Sequence, residues 1–174
     1  MKKQLLFIGI AALSLIVGLQ TRLFVSEASA EANSQTLPDI SLPDTAGKQH
    51  NLKEWQGKIL ILNFWATWCP PCMKEMPEFQ AIQNEFGDKG VQFVGVALDE
   101  AEPVQEFITK KNITYPILIG PDAGMKLAHD LGNVVNTVPF TVIFDKKGQL
   151  IKRQMGTLDR EAILEIINPL FKGK

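Results

Sequence analysis

One tetrapeptide constrains this chain more than any other feature. Cys69-Pro70-Pro71-Cys72 holds both cysteines of the 174 residues. An apolar run, Ile59 to Trp65, leads into it, and a helix-compatible segment, Met73 to Phe86, leads out. Two cysteines at this spacing, at the end of a strand and the mouth of a helix, read as a redox pair. A disulfide between positions three apart closes a tiny loop, so it gains little from loop entropy and staples poorly. It is better suited to being made and broken. The alternatives are an incidental small loop or a metal-binding pair, and the strand-to-helix setting favours neither.

The pattern around the cysteines sets the fold class, α/β. Lys58 to Trp65 is too continuously apolar for a half-exposed strand and predicts a central strand buried on both faces. Before it, Leu37 to Leu42 alternates as a strand, Asp44 to Lys48 turns, and Gln49 to Asn51 returns, giving an N-terminal hairpin. Leu52 to Trp55 reads as a helical turn stopped by Gly57. After the cysteines comes a helix with Pro77 inside it, where a kink is expected. Val91 to Ala97 is the next strand, Glu102 to Lys111 a helix, Pro116 to Gly120 a short strand and Gly124 to Leu131 another helix. Thr141 to Asp145 and Gln149 to Met155 form a hairpin around Lys146-Lys147-Gly148. Asp159 caps a last helix, Arg160 to Phe171, whose apolar face is Ile163, Ile166, Ile167 and Leu170.

The composition, 45% apolar and 21% charged, is that of a globular domain. With a net charge of −1 and no basic cluster, nothing points to a nucleic-acid partner. The first residues read as a targeting segment: Lys2 and Lys3, an apolar run from Leu5 to Leu19, then Ala28-Ser29-Ala30. The run is shorter than the roughly 20 residues of a spanning helix. Leu23-Phe24-Val25 nevertheless extends the hydrophobicity past Arg22. Residues 1–30 are therefore a cleaved signal peptide or an N-terminal membrane anchor. Either way a tether over 31–36 and a domain over 37–174 are expected outside the cytoplasm, in a periplasm or on the extracytoplasmic face of the cell membrane.

Thiolate is the working form of cysteine, and a helix N-terminus lowers its pKa through unpaired N–H groups and the helix dipole. Cys69 occupies that position if the helix begins at Pro70. Two prolines suit a first helical turn but subtract two N–H donors from the sulfur. A less stabilised dithiol gives up electrons more readily, which tilts the reading toward a reductant. Cys69 is the expected exposed nucleophile. Cys72, one turn deeper, is expected to resolve the mixed disulfide.

Asn63 to Cys72 followed by Glu75-Met76-Pro77, and Thr137-Val138-Pro139-Phe140-Thr141-Val142-Ile143-Phe144-Asp145 followed by Gly148, resemble the exported thioredoxin-like TlpA/ResA/DsbE group. The resemblance covers about residues 37 to 172. It implies a thioredoxin fold with an added N-terminal β-hairpin and a central insertion within Asp99 to Gly120. It also implies reduction of specific protein disulfides, with cytochrome c maturation as the pathway, a membrane thiol–disulfide electron donor, and no cofactor or metal. It implies further that Val138-Pro139 is a cis peptide facing the cysteines, which sequence alone does not show because few X–Pro bonds are cis. Backbone beside that proline, with Trp68 and Pro70 at the rim, would dock an extended client segment by strand addition.

Asn63 stands where ordinary thioredoxins carry a buried aspartate, and an amide cannot take a proton from Cys72. Glu75 matches a glutamate of the group and is expected to tune the thiol pKa values or help deprotonate Cys72; a surface carboxylate paired with a lysine is the plainer alternative. Trp65 reads as packing, and His50 and His129 as solvated. Two rival functions stand beside the oxidoreductase. A thiol peroxidase would place a lone peroxidatic cysteine after a proline-threonine pattern, whereas here Thr67 lacks that proline and the cysteines are paired. A copper(I) carrier would use both thiolates with Met73 and Met76, although Met76 is spaced for the core.

Overall fold

The computed structural model describes residues 35–171. Its centre is the strand β3, Ile59–Trp65, in which all seven residues are buried. Period-two alternation sends Ile59, Ile61 and Trp65 to one face and Leu60, Leu62 and Phe64 to the other, and each set belongs to a separate apolar cluster. A strand of this kind needs cover on both sides.

The cover follows in chain order. Ser41–Pro43 (β1) and Gln49–Asn51 (β2) pair as an antiparallel hairpin. A 3-10 turn, Leu52–Trp55, is closed by a capping box in which Asn51 accepts from the Lys53 N–H at 2.9 Å and donates its own N–H to Glu54 at 2.9 Å. After β3 come helix α1, Pro70–Phe86, strand β4, Val91–Ala97, helix α2, Ala101–Lys111, and strand β5, Ile117–Ile119. Helix α3, Pro121–Asp130, strands β6, Phe140–Phe144, and β7, Leu150–Met155, and helix α4, Arg160–Phe171, complete the described chain. The five-stranded sheet has the order β5-β4-β3-β6-β7, with β4 parallel to both β3 and β5, and β6 antiparallel to both β3 and β7. Met76, Phe79, Ile82, Val104, Ile163 and Ile167 from α1, α2 and α4 cover one face. Leu127 and Ala128 of α3, with Leu42, Leu52 and Trp55 of the N-terminal segment, cover the other.

The mixed α/β sheet and the hairpin are as the sequence implies. The segment Asp99 to Gly120 supplies α2 and β5, so the insertion widens the sheet by one parallel edge strand. Some boundaries differ. The first strand is shorter than the expected Leu37 to Leu42: Pro38 has no N–H to give a ladder, and Leu37 N–H bonds instead to Gly148 O at 2.8 Å. The domain also begins before Leu37. Gln35 O accepts from Leu150 N–H at 2.8 Å and Thr36 bridges Gln149, so the last two residues of the expected tether are already fixed to the sheet. The rest of that tether, and residues 1–30, lie outside the described residues. Helix α3 starts at Pro121, three positions before the expected Gly124, because proline suits a first helical turn. Helix α1 runs on through Pro77, whose ring lies on the exposed side. His50 is not simply solvated: it bridges Asp44 at 3.2 Å and Glu54 at 3.0 Å and stacks on Trp55.

Gly95 marks the tightest packing near the end of β3. A Cβ there would lie 2.6 Å from Ile117 Cδ1 and 3.0 Å from Trp65 Nε1. Trp65 is itself held against Phe107, ring centroids 5.3 Å apart. Gly95→Ala is expected to destabilise the domain by about 1–3 kcal/mol through overpacking, measurable as a lowered denaturation midpoint with a changed near-UV signal from Trp65.

Candidate active site

β3 ends at Trp65, and after Ala66, Thr67 and Trp68 the chain reaches the N-cap of α1. Cys69 is the N-cap of that helix, in an extended conformation with φ −103° and ψ 97°. Pro70 and Pro71 fill the first two helical positions, so the first helical N–H belongs to Cys72, and it reaches Cys69 Sγ at 3.3 Å. The expected subtraction of donors is thus visible: one N–H faces the sulfur. Cys69 and Cys72 form a disulfide with Cα atoms 5.3 Å apart. Cys72 is fully buried, whereas Cys69 keeps 4% exposure, so the expected exposed nucleophile shows only an edge in this oxidised state. Trp65 is buried, and Trp68, at 65% exposure, stands at the rim beside the exposed Pro70.

The Val138–Pro139 peptide is cis. Pro139 is buried, and Val138 packs against the apolar cluster that contains both cysteines. The loop before it is braced from within: buried Asn133 donates to Thr137 O at 2.8 Å and accepts from Thr137 N–H at 3.1 Å. Gly156 N–H then bonds to Pro139 O at 2.8 Å, tying the cis segment to the chain after β7.

Glu75 is the main departure from a surface reading. It is buried, on α1, with no lysine partner among the described ion pairs. Asn63 Nδ2 donates to its Oε1 at 3.2 Å, and Leu158 N–H donates to its Oε2 at 3.1 Å. The same Asn63 amide donates to Thr141 Oγ at 3.0 Å across the β3–β6 pairing. Burial pushes the Glu75 carboxyl up to about 7, against the lowering effect of the bonds from Leu158 and Asn63. Tyr115, whose buried hydroxyl has no partner among the described residues, is pushed up by burial first and by the Glu75 charge second. A cavity of about 360 Å³ opens beside Glu75, lined by Pro71, Lys74, Thr157 and Leu158 among others. Sequence reasoning singled out Glu75 and Asn63 but gave no role to Thr141, which lies in the second motif, and missed Leu158, Tyr115 and Asp99, which carry no motif. Met76 is fully buried and packs in the same apolar cluster as the cysteines, as its spacing for the core implies. Among the described residues no cluster of three or more His, Cys, Asp or Glu side chains could hold a metal.

A disulfide at the N-cap of a helix that follows the central strand, beside a cis-proline loop, defines the class: a thiol–disulfide oxidoreductase built on a thioredoxin fold. The Redoxin family profile matches residues 32–167. At 35% identity over 150 residues, covering 84% of both chains, the sequence is similar to the thiol-disulfide oxidoreductase ResA of Geobacillus thermodenitrificans. It is 29% identical to ResA of Bacillus subtilis over 99% of this chain and 97% of that one. Among solved structures, a secreted thiol-disulfide isomerase from Corynebacterium glutamicum superposes with a TM-score of 0.74 at 28% identity, covering 82% of this chain and 89% of that one. StoA from Bacillus subtilis superposes with a TM-score of 0.58 at 27% identity, covering 74% of this chain and 98% of that one. The chain belongs to the redoxin family, within its thioredoxin-like TlpA/ResA/DsbE group.

Glu75 gives stability a definite pH dependence. Its carboxyl titrates near 4.5 when unfolded and near 7 when folded, so between those values the native state holds a proton that the unfolded chain has released. Stability is therefore fully present below about 4.5 and is lost as pH rises through 7, by up to roughly 3 kcal/mol. Glu75→Gln, whose amide still accepts from Leu158 and can donate to a turned Asn63 amide, should flatten that slope. Denaturant midpoints of both proteins at pH 4.5 and 8 test this.

Proposed function

We propose that the chain works outside the cytoplasm as a reductant of specific protein disulfides, with Cys69 attacking and Cys72 resolving. The observation that carries this reading is the scarcity of donors at Cys69, where prolines leave one helical N–H to the sulfur. A thiolate so weakly supported makes the dithiol the less stable form and electron donation favourable.

The steps balance without a cofactor. Cys69 thiolate attacks one sulfur of a client disulfide, forming a mixed disulfide and releasing the client's other sulfur as thiolate, which takes up a proton. Cys72 loses its proton and attacks Cys69 Sγ, expelling the second client sulfur. The client leaves as a dithiol and the Cys69–Cys72 disulfide remains. Glu75, one helical turn beyond Cys72 and able to hold or release a proton near neutrality, is the group assigned to receive the Cys72 proton. Trp68, Pro70, Val138 and Pro139 are assigned to docking the client as an extended segment. A membrane thiol–disulfide donor must then return two electrons to the pair. Support for a place in cytochrome c maturation comes from the resemblance to the ResA group, and support for export from the Lys2 to Ala30 pattern and from the secreted isomerase relative.

The deciding measurement is the reduction potential of the pair, followed by tryptophan fluorescence in defined thiol buffers. A value toward the roughly −270 mV of thioredoxin fits a reductant, and one toward the roughly −120 mV of a strong oxidant recasts the chain as a disulfide donor. A second expectation concerns clients: Cys72→Ala should accumulate mixed disulfides through Cys69, whereas Cys69→Ala should accumulate none. Equal trapping by both variants would reverse the assignment of attacker and resolver.

A further inference from the structure

We propose that Asp99 is a positioning residue for disulfide exchange, clamping the loop that carries Cys69 from the start of the central insertion. The proposal rests on the reading of Cys69 as the attacking sulfur. Between the end of β3 and the N-cap lie only Ala66, Thr67 and Trp68. Ala66 O accepts from Cys69 N–H at 3.2 Å, which closes this short turn on itself. Its middle is held from outside. Thr67 N–H donates to Asp99 Oδ2 at 3.2 Å, and the Thr67 hydroxyl donates to the same oxygen. The other carboxylate oxygen, Oδ1, accepts from Glu100 N–H at 2.9 Å, at the mouth of α2.

Asp99 thereby ties the redox loop to the N-cap residue of the helix that follows it. Two further contacts fix the bridge at its base. Leu98 N–H bonds to Trp65 O at 2.8 Å, and Phe107 of α2 packs on Trp65. The insertion therefore grips both the residue before the turn and the residue at its centre. Charge-assisted bonds of this kind are stronger than neutral ones and fix geometry. Asp99 forms no salt bridge among the described residues, so its charge is not neutralised by a paired cation. Bonded to Thr67, which lies two residues before Cys69, this carboxylate opposes the thiolate that appears on reduction and favours the disulfide.

Clamp and charge separate experimentally. Asp99→Asn keeps an oxygen to accept from both Thr67 donors and loses the charge; Asp99→Ala loses both; Thr67→Val loses only the hydroxyl donor. Each full-length protein is reduced, and its rate of exchange with oxidised glutathione and its equilibrium constant with the glutathione couple are measured. Asp99→Ala should exchange about tenfold more slowly, a misplacement effect. Asp99→Asn should recover the rate to within about twofold, while in both variants the equilibrium shifts toward the dithiol by about threefold. Thr67→Val should slow exchange with the equilibrium unmoved. Rates and equilibria equal to the parent's in Asp99→Ala, or equal slowing in Asp99→Ala and Asp99→Asn, would overturn the clamp. If Asp99→Ala does not fold, a parental rate in Thr67→Val overturns it just as well. Alkylation of the reduced parent by limiting iodoacetamide, mapped to each cysteine, tests the underlying reading separately: first labelling of Cys72 defeats the attacker assignment.

Discussion

Because every residue of β3 is desolvated, the chain must build a layer against each of its faces, and the rest of the architecture answers that demand. Each large apolar side chain on the strand contributes roughly 1.5–3 kcal/mol only if its face is covered. Helices α1, α2 and α4 do this on one side, and α3 with the N-terminal segment on the other. The same demand places the redox pair. A strand buried on both faces can present chemistry only where it ends, and β3 ends at Trp65, four residues before Cys69. In open α/β sheets reactive sites gather at the carboxyl ends of parallel strands for this reason.

One position on β3 breaks the apolar rule. Asn63 points by alternation toward α1, where it meets the only carboxyl that α1 buries, Glu75. A buried amide and a buried acid would each be costly alone. Together with Thr141 and the Leu158 amide they are bonded to one another, and the lingering desolvation appears as a carboxyl that titrates near neutrality instead of near 4.5. The polar defect is thus placed under the helix that carries Cys72, where a group with a pKa near 7 is useful for proton transfer. Cys69 caps this helix and Cys72 and Glu75 lie within it, so the strand that organises the fold also sets the buried acid near the redox pair.

Much of this was readable from residue order. The cysteine spacing, the uniform apolarity of Lys58 to Trp65, the helix-opening prolines and the hairpin around Gly148 are local patterns, and the elements they predict are present. The cis peptide at Pro139 and the central insertion came from resemblance to a family, not from local pattern. Glu75 resisted reading because its helix neighbours, Lys74 and Glu78, look like a solvated face. The backbone N–H that meets its carboxylate belongs to Leu158, 83 residues away.

Sequence by itself determined the redox pair, the two-faced strand and the order of helices and strands, because these follow from side-chain chemistry and short-range periodicity. Tertiary structure alone decided which polar groups meet. Asn63 finds Thr141 through the register of β3 on β6, Glu75 finds Leu158 through the return of the chain after β7, and Asp99 finds Thr67 because β4 lies parallel to β3 and both end together. Hydrogen bonds act over about 3 Å, so partners 32 to 83 positions apart are fixed only when packing brings their elements into register.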